Sequence, residues 1–433
     1  MNIPSLVVAD QHGDVVDIPG LSMTAGSACG PAVPDLQSLV PLPRESILFA
    51  LPSRIAVGFD HARGRFVEVR EHGGKPVFAA AAFLPPGYIC THHSAYRRLH
   101  GAPRLPLYCY AAVGWRNGKF FAAGHRIDRQ LRHDIPDAAL GRVDAKARAF
   151  LKQHPCNRLA QHLVNNCVLR YRCPNACNLV LGRWECPVPV SRSCNAACIG
   201  CISRQPATSC VPPSQHRLAF TPSADEIVEY VVPHLKQASN PIASFGQGCE
   251  GEPLLETDLV EESIREIRTR TRRGSININS NGSLPHAVER LCAAGLNSMR
   301  VSLNSAQPEF YSAYYRPRGY SFNDVCASIT VAKRHGVWIS INYLVFPGFT
   351  DHPAEVTALK KLLRRTGIDM IQTRNLNIDP AWYAWSLGLD RLPSPSRGIM
   401  QWVRELRREF PRVKLGYYNP TNAMIRAGEP HRS

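Results

Sequence analysis

Cys194-Asn-Ala-Ala-Cys198-Ile-Gly-Cys201 places three thiols within eight residues, with three residues and then two between them. The residues between them are small or neutral, and Gly200 relaxes the backbone, so the loop can curl until its sulfurs address one centre. Thiolates are soft ligands that suit iron–sulfur clusters, zinc or copper(I). A closed structural zinc site takes four ligands, commonly as two close pairs, and here the local set stops at three. A four-iron cluster held by three cysteines keeps one iron open to a further ligand. The competing readings are buried free thiols, or a zinc knuckle completed by Cys186 or Cys210.

The chain around this loop has 433 residues, 44% of them hydrophobic, and a formal charge of +17. That length suits two or three domains. No apolar run is long enough to cross a bilayer, and Met1-Asn-Ile-Pro-Ser-Leu lacks a basic flank followed by an apolar stretch, so the expectation is a cytoplasmic protein without a membrane partner. Of the 15 cysteines, nine fall between Cys156 and Cys210. Such clustering in a large chain points to metal binding rather than to a disulfide framework. Cys156, Cys167, Cys173 and Cys177 form the best second set, with Cys186 as substitute. They suit a second iron–sulfur cluster or a zinc, or else are free thiols of a linker. The positive charge gives weak support to an acidic partner such as RNA, and a solvated arginine-rich surface explains it better. His92, His93 and His100 are expected to be structural.

Downstream of the loop the pattern becomes regular. Helical spacing covers 224–237, with Ser223 and Glu226 placed as a capping box, then 258–270, 284–294, 322–335 and 354–365. Strand-like runs cover 188–191, 242–245, 275–279, 299–303, 338–346 and 370–376. Alternation of this kind predicts parallel strands joined by right-handed crossovers. Six units fit, so the expected fold is α/β: a partial (β/α)6 TIM-like barrel preceded by an N-terminal β-rich or mixed domain and a Cys-rich linker. The expected boundaries are 1–45, extended or loosely ordered; 46–137, a small β-rich or mixed domain with a tight turn at Asn117-Gly118; 138–186, helical and Cys-rich; 187–380, the barrel; and 381–433, an extension with one helix at 398–410.

Cys-x3-Cys-x2-Cys resembles the cluster loop of the radical S-adenosylmethionine (SAM) enzyme superfamily. The resemblance runs over about residues 186–380. Gly251-Glu252-Pro253 resembles that family's Gly-Gly-Glu-Pro segment, with Glu250 standing where its first glycine would be. Ser280-Asn281-Gly282 resembles its Thr-Asn-Gly strand end, and Val345-Phe-Pro-Gly348 the fifth-strand end that closes on adenine. The family often has an aromatic residue before the third cysteine, where this chain has Gly200.

The resemblance implies a 4Fe–4S cluster on Cys194, Cys198 and Cys201, SAM bound to its open iron, and an electron donor such as flavodoxin or ferredoxin. Reductive cleavage of SAM would then give a 5′-deoxyadenosyl radical. It also implies that Gly251, Glu252, Asn281, Arg300, Ser302 and Asn304 position SAM; Arg300 pairs either with the SAM carboxylate or with a structural acid. Gln372, Arg374 and Asn375, ending the sixth strand, are expected to face substrate, which RNA and peptide both suit. No residue is assigned to the chemical step on the substrate. The alternative from another class is a non-catalytic, zinc-stabilised nucleic-acid-binding protein.

Overall fold

The computed structural model describes residues 3–130, 134–389 and 396–427. Its centre is a seven-stranded sheet whose strands lie in sequence order: β1 (Glu185–Val188), β2 (Ile242–Phe245), β3 (Ser275–Ser280), β4 (Ser298–Leu303), β5 (Trp338–Val345), β6 (Met370–Asn375) and β7 (Lys414–Gly416). Every neighbouring pair is parallel. The strands are short and mostly buried on both faces, β2 at every position and β5 at all but one. Such strands need helices on the outside, and Ala224–Gln237, Thr257–Arg270, Pro285–Ala294, Phe322–Arg334 and Pro353–Thr366 supply them. Ser223 and Glu226 form the expected capping box.

Two details of the barrel differ from the expectation. The first strand is Glu185–Val188 rather than 188–191. Beyond Val188 the backbone leaves the ladder because the Val190 and Ser191 N–H groups donate to the Glu250 carboxylate. The sheet also gains β7 after the helix Ile399–Glu409. A three-residue strand carries too little alternation to be read from sequence. The C-terminal extension therefore holds more than one helix: Pro380–Leu387, Ile399–Glu409 and Asn422–Ala427. Residues 390–395 and 428–433 of that extension lie outside the described residues.

The N-terminal part is an antiparallel sheet that begins at Ser5–Ala9 and ends at Lys119–Arg126. Residues 1–45, expected to be loosely ordered, instead supply some of its strands. Ser5–Ala9 pairs with Val15–Met23, Phe78–Phe83 and Val113–Arg116. Leu6 and Val8 face one apolar cluster while Val7 and Ala9 face another. A strand buried on both sides shows no alternation, which is why its pattern was silent. Asn117 and Gly118, both at positive φ, make the expected tight turn between Val113–Arg116 and Lys119–Arg126.

Between these parts lie helices Val143–Gln153, Arg158–His162 and Pro174–Val180, with a π-helical stretch at Leu163–Arg170. Their apolar faces join the barrel's own core: Val164, Cys167, Cys177 and Val180 share a cluster with Val188, Phe245 and Ile278. The N-terminal sheet caps the carboxyl ends of β5 and β6. Arg54, fully buried, donates to the Asp379 carboxylate at 2.8 Å and to the Pro52 and Pro103 carbonyls. Asn375 accepts from the Cys90 N–H at 2.7 Å and donates to the Tyr88 carbonyl at 2.9 Å. No helix among the described residues is long and apolar enough to cross a membrane.

Candidate functional site: a thiol-lined cavity at the strand ends

In parallel α/β folds, ligands gather beyond the carboxyl ends of the strands. At that edge lies a cavity of about 510 Å³, lined by Cys194, Cys198 and Cys201 together with Gly251, Glu252, Asn281, Arg300, Ser302 and Arg374. Eight of the nine cluster and SAM residues singled out in the sequence thus meet in one space. The ninth, Asn304, does not. It is fully buried away from the cavity, where its amide donates to the Phe310 carbonyl and the Tyr383 hydroxyl. Phe346 and Gly348 likewise turn away. The Pro347 carbonyl accepts from the Ala28 N–H and the Phe346 ring packs on His93, so this strand end docks the N-terminal sheet. From that end only Leu344 reaches the cavity wall.

The cysteine loop is held from several directions. The Ala197 and Ile199 N–H groups donate to the Tyr315 and Tyr314 carbonyls of helix Pro308–Tyr315. Gln205 donates to the Ile199 and Cys201 carbonyls. Asn195 accepts from the Asn281 amide at 2.7 Å, so a residue at the β3 end fixes the loop between its first two thiols. A Cβ on Gly200 would lie 2.8 Å from the Tyr314 hydroxyl. The space an aromatic side chain at 200 would need is therefore already filled from the helix.

Burial pushes the Cys194 thiol up to about 11 and holds Cys198 well above the ordinary range. Both gain from a cation that stabilises the thiolate. Arg217 supplies some positive charge, its guanidinium lying 3.5 Å from the Cys201 sulfur and 3.1 Å from the Ser203 hydroxyl. Arg217 sits in an irregular segment and carried no signal in the sequence. A single tetrahedral zinc would draw its sulfurs to about 3.8 Å of one another. Among the described residues the three loop sulfurs are not gathered within 4.8 Å, whereas two other sets of ligand atoms are. That wider spread fits the separate corners of a cluster.

Glu250 and Glu252 hold the second loop. Glu250 accepts from the Val190, Ser191 and Gln247 N–H groups, and burial still pushes its carboxyl up to about 8. Glu252, raised by burial to about 7, accepts from the Ser280 hydroxyl and the Asn281 and Leu254 N–H groups. It thereby joins the ends of β2 and β3. Arg300 donates to Gln372 at 3.0 Å, and Arg374 donates to Asn342 at 2.7 Å and lies over the Tyr417 ring. Burial, with Arg374 beside it, lowers Arg300 to about 9. Buried nitrogens of both guanidinium groups, Arg300 Nε and Arg374 Nη1, make no hydrogen bond. Asn375 reaches the cavity as well as the N-terminal sheet.

The second cysteine set does not assemble as expected. Cys156 is exposed, and Cys167 meets His162 and Cys249 rather than Cys156 and Cys177. A further buried group, Cys90, His93 and Cys109, lies in the N-terminal sheet. Burial lowers His93 to about 3 and keeps the ring neutral, and neither ring nitrogen has a partner.

Residues 188–360 match the family model described as the radical SAM superfamily. Over those residues the chain carries a radical SAM domain. A 4Fe–4S cluster and SAM are the cofactors of radical SAM proteins, and the thiol triad and polar strand ends fit them. The family match favours the enzyme reading over a zinc-stabilised nucleic-acid-binding protein. The chain is 28% identical over 198 residues to a GTP 3′,8-cyclase of Aquifex aeolicus, covering 44% of this chain and 58% of the relative. It is 28% identical over 171 residues to the GTP 3′,8-cyclase of Limosilactobacillus fermentum, covering 38% and 46%. The chain thus spans about half the length of these curated relatives. Among solved structures, a radical SAM methyltransferase from Sphaerobacter thermophilus superposes with a TM-score of 0.37 at 18% identity, covering 54% of this chain and 66% of that one.

Proposed function

We propose that this chain is an enzyme that cleaves SAM reductively at a 4Fe–4S cluster held by Cys194, Cys198 and Cys201, and that the resulting 5′-deoxyadenosyl radical acts on a substrate admitted to the same cavity. The observation that carries this reading is the meeting of the three thiols with Glu252, Asn281, Arg300 and Ser302 around one cavity of about 510 Å³. The cluster supplies the electron for the carbon–sulfur cleavage, and the protein supplies orientation and shielding. Asn281 fixes the loop through Asn195, and Glu252 fixes the β3 end. Arg300 and Arg374 have donors to spare for anionic groups, and a bidentate guanidinium–carboxylate pair is a strong orienting contact. Arg300 suits the SAM carboxylate, and Arg374 an acidic group of the substrate. Flavodoxin or ferredoxin suits the role of electron donor, and the reducing setting such a cluster needs suits the cytoplasm.

Anaerobic reconstitution with iron and sulfide tests this reading. It is expected to give an absorption band near about 400 nm, and reduction in the presence of SAM to release 5′-deoxyadenosine. Unchanged release from the Cys198→Ala protein would sink it. RNA and peptide substrates separate by salt, since affinity for RNA falls steeply between low and moderate ionic strength.

A further inference from the structure

The helical Cys-rich segment and the loop after β2 meet at three metal-ligating side chains. His162 closes the helix Arg158–His162, Cys167 sits in the π-helical stretch Leu163–Arg170, and Cys249 lies in the loop between Gly246 and Glu252. Their ligand atoms all lie within 4.8 Å of one another, and the Cys167 and Cys249 sulfurs are 3.6 Å apart. Both cysteines are buried at 4% exposure, and the His162 Nε2 is buried without a hydrogen-bond partner. Cys173 is the next cysteine along the chain, and its N–H donates to the Cys167 carbonyl at 2.8 Å, while its sulfur lies outside the group gathered within 4.8 Å.

We propose that His162, Cys167 and Cys249, completed by Cys173, hold a single zinc ion that ties the Cys-rich helices to the loop carrying Glu250 and Glu252. Three thiolates and one imidazole are an established structural zinc set. Tetrahedral zinc with bonds of about 2.3 Å to sulfur places its sulfurs about 3.8 Å apart, close to the separation of Cys167 and Cys249. The compactness of His162, Cys167 and Cys249 fits one ion better than a cluster, whose corner ligands stand further apart. Loss of the thiol protons on metal binding is the only chemistry involved, and no redox step is needed.

The position explains a purpose. Cys249 is adjacent to Glu250, whose carboxylate anchors Val190 and Ser191 just before the cysteine loop. The Leu218 N–H donates to the Cys249 carbonyl at 2.7 Å, and Asn175 donates to Gln247 at 3.2 Å. A metal at Cys249 would fix this loop against the helices and keep Glu250 and Glu252 in register with the cavity. A π-helical stretch inside an α-helical run is a feature that often marks a functional site, and here it presents Cys167.

The test uses the full chain, purified anaerobically with its cluster in place. Metal analysis is expected to find one zinc per chain beside the cluster iron. X-ray absorption at the zinc edge should show sulfur near about 2.3 Å together with nitrogen near about 2.0 Å. Cys249→Ala and Cys167→Ala are expected to lose zinc and keep iron, whereas Cys198→Ala should lose iron and keep zinc. The last comparison separates failure of this site from failure of the SAM-cleavage reading. Loss of half the iron in Cys167→Ala would identify a second cluster and overturn the proposal. So would a Cys167–Cys249 disulfide in the anaerobic protein, or a zinc shell of oxygen and nitrogen alone. The absorption measurement needs no variant, so misfolding of the substituted chains leaves the proposal open to refutation.

Discussion

Gly251 packs so closely on Ser193 that a Cβ on it would come within 1.8 Å of the Ser193 carbonyl oxygen. The two segments run side by side: Gly251 N–H donates to the Ser191 carbonyl, and Glu252 N–H to the Ser193 carbonyl, each at 2.7 Å. The backbone leading into the first thiol is thus paired with the loop that ends β2. Gly251→Ala must part these strands of chain. The cost is expected to be at least about 1–3 kcal/mol, as for other overpacked sites, and it falls on the cluster loop. The variant is expected to keep its far-ultraviolet circular dichroism while losing most of its bound iron. Full iron occupancy would show that the pairing is not needed to present Cys194.

Glu250 gives the second prediction. Glu250→Gln keeps the shape but leaves one acceptor oxygen where the structure uses two, so either Gln247 or the Val190–Ser191 pair loses its buried acceptor. An unsatisfied buried N–H costs about 1–3 kcal/mol, which urea denaturation would read directly. Glu250→Gly, which restores the glycine of the related motif, should be worse, because it strands all three N–H groups.

How much of this was legible in the sequence follows from the range of the interactions involved. Cys194 to Cys201 is local, and the strand ends at Glu252, Asn281 and Ser302 follow from a repeated β/α pattern, so both could be read. Glu250 looked like a departure from a glycine motif, because its partners are backbone N–H groups 60 residues away at Val190 and 59 at Ser191. Cys249 was overlooked for the same reason: Cys167 is 82 residues distant. The face that Asn304 turns to could not be read, because a strand end gives the position of a residue but not its orientation. Residues 5–9 were silent because both sides of that strand are covered.

Acid should destabilise the fold through His234. The residue is 7% exposed, and burial lowers it to about 4, partly offset by a hydrogen bond to the Trp184 backbone. Lys146 and His154 line the same recess, no acid does so among the described residues, and Glu229 at its edge pairs with His154. Between pH 4 and 6.5 the unfolded chain binds the proton and the folded chain does not. Stability from this group is therefore complete above about pH 6.5 and is lost as pH falls towards 4, by about 3 kcal/mol in all. Unfolding free energies at pH 7.5 and pH 5 should differ in that direction, and His234→Gln should flatten the difference. An equal slope in the variant would assign the acid limb to other groups.

The Arg54–Asp379 pair fastens the N-terminal sheet to the barrel, at 0% and 1% side-chain exposure. Asp379 also accepts from the Leu105 N–H and caps the helix Pro380–Leu387. Asp379→Ala would strand a buried guanidinium and is expected to cost about 3–5 kcal/mol. Arg54→Met with Asp379→Leu removes both charges and should cost less than either single change. Denaturant midpoints of the three proteins decide it, and additive losses would contradict a coupled pair.

Arg300 and Arg374 separate cofactor from substrate. Both line the cavity and share Gln372 as a partner, yet they sit on different strands, β4 and β6. If Arg300 takes the SAM carboxylate, Arg300→Met removes a charge-assisted bond. Such bonds contribute about 1.5–3 kcal/mol, or roughly a 10- to 100-fold rise in the SAM dissociation constant. Arg374→Met should leave that constant within about twofold, since its spare Nη1 donor is assigned to the substrate rather than to SAM. Calorimetric titration of SAM into the reconstituted proteins measures both. Equal weakening in the two variants would mean that the arginines act as one anion site, and the division between SAM and substrate would have to be redrawn around Gln372.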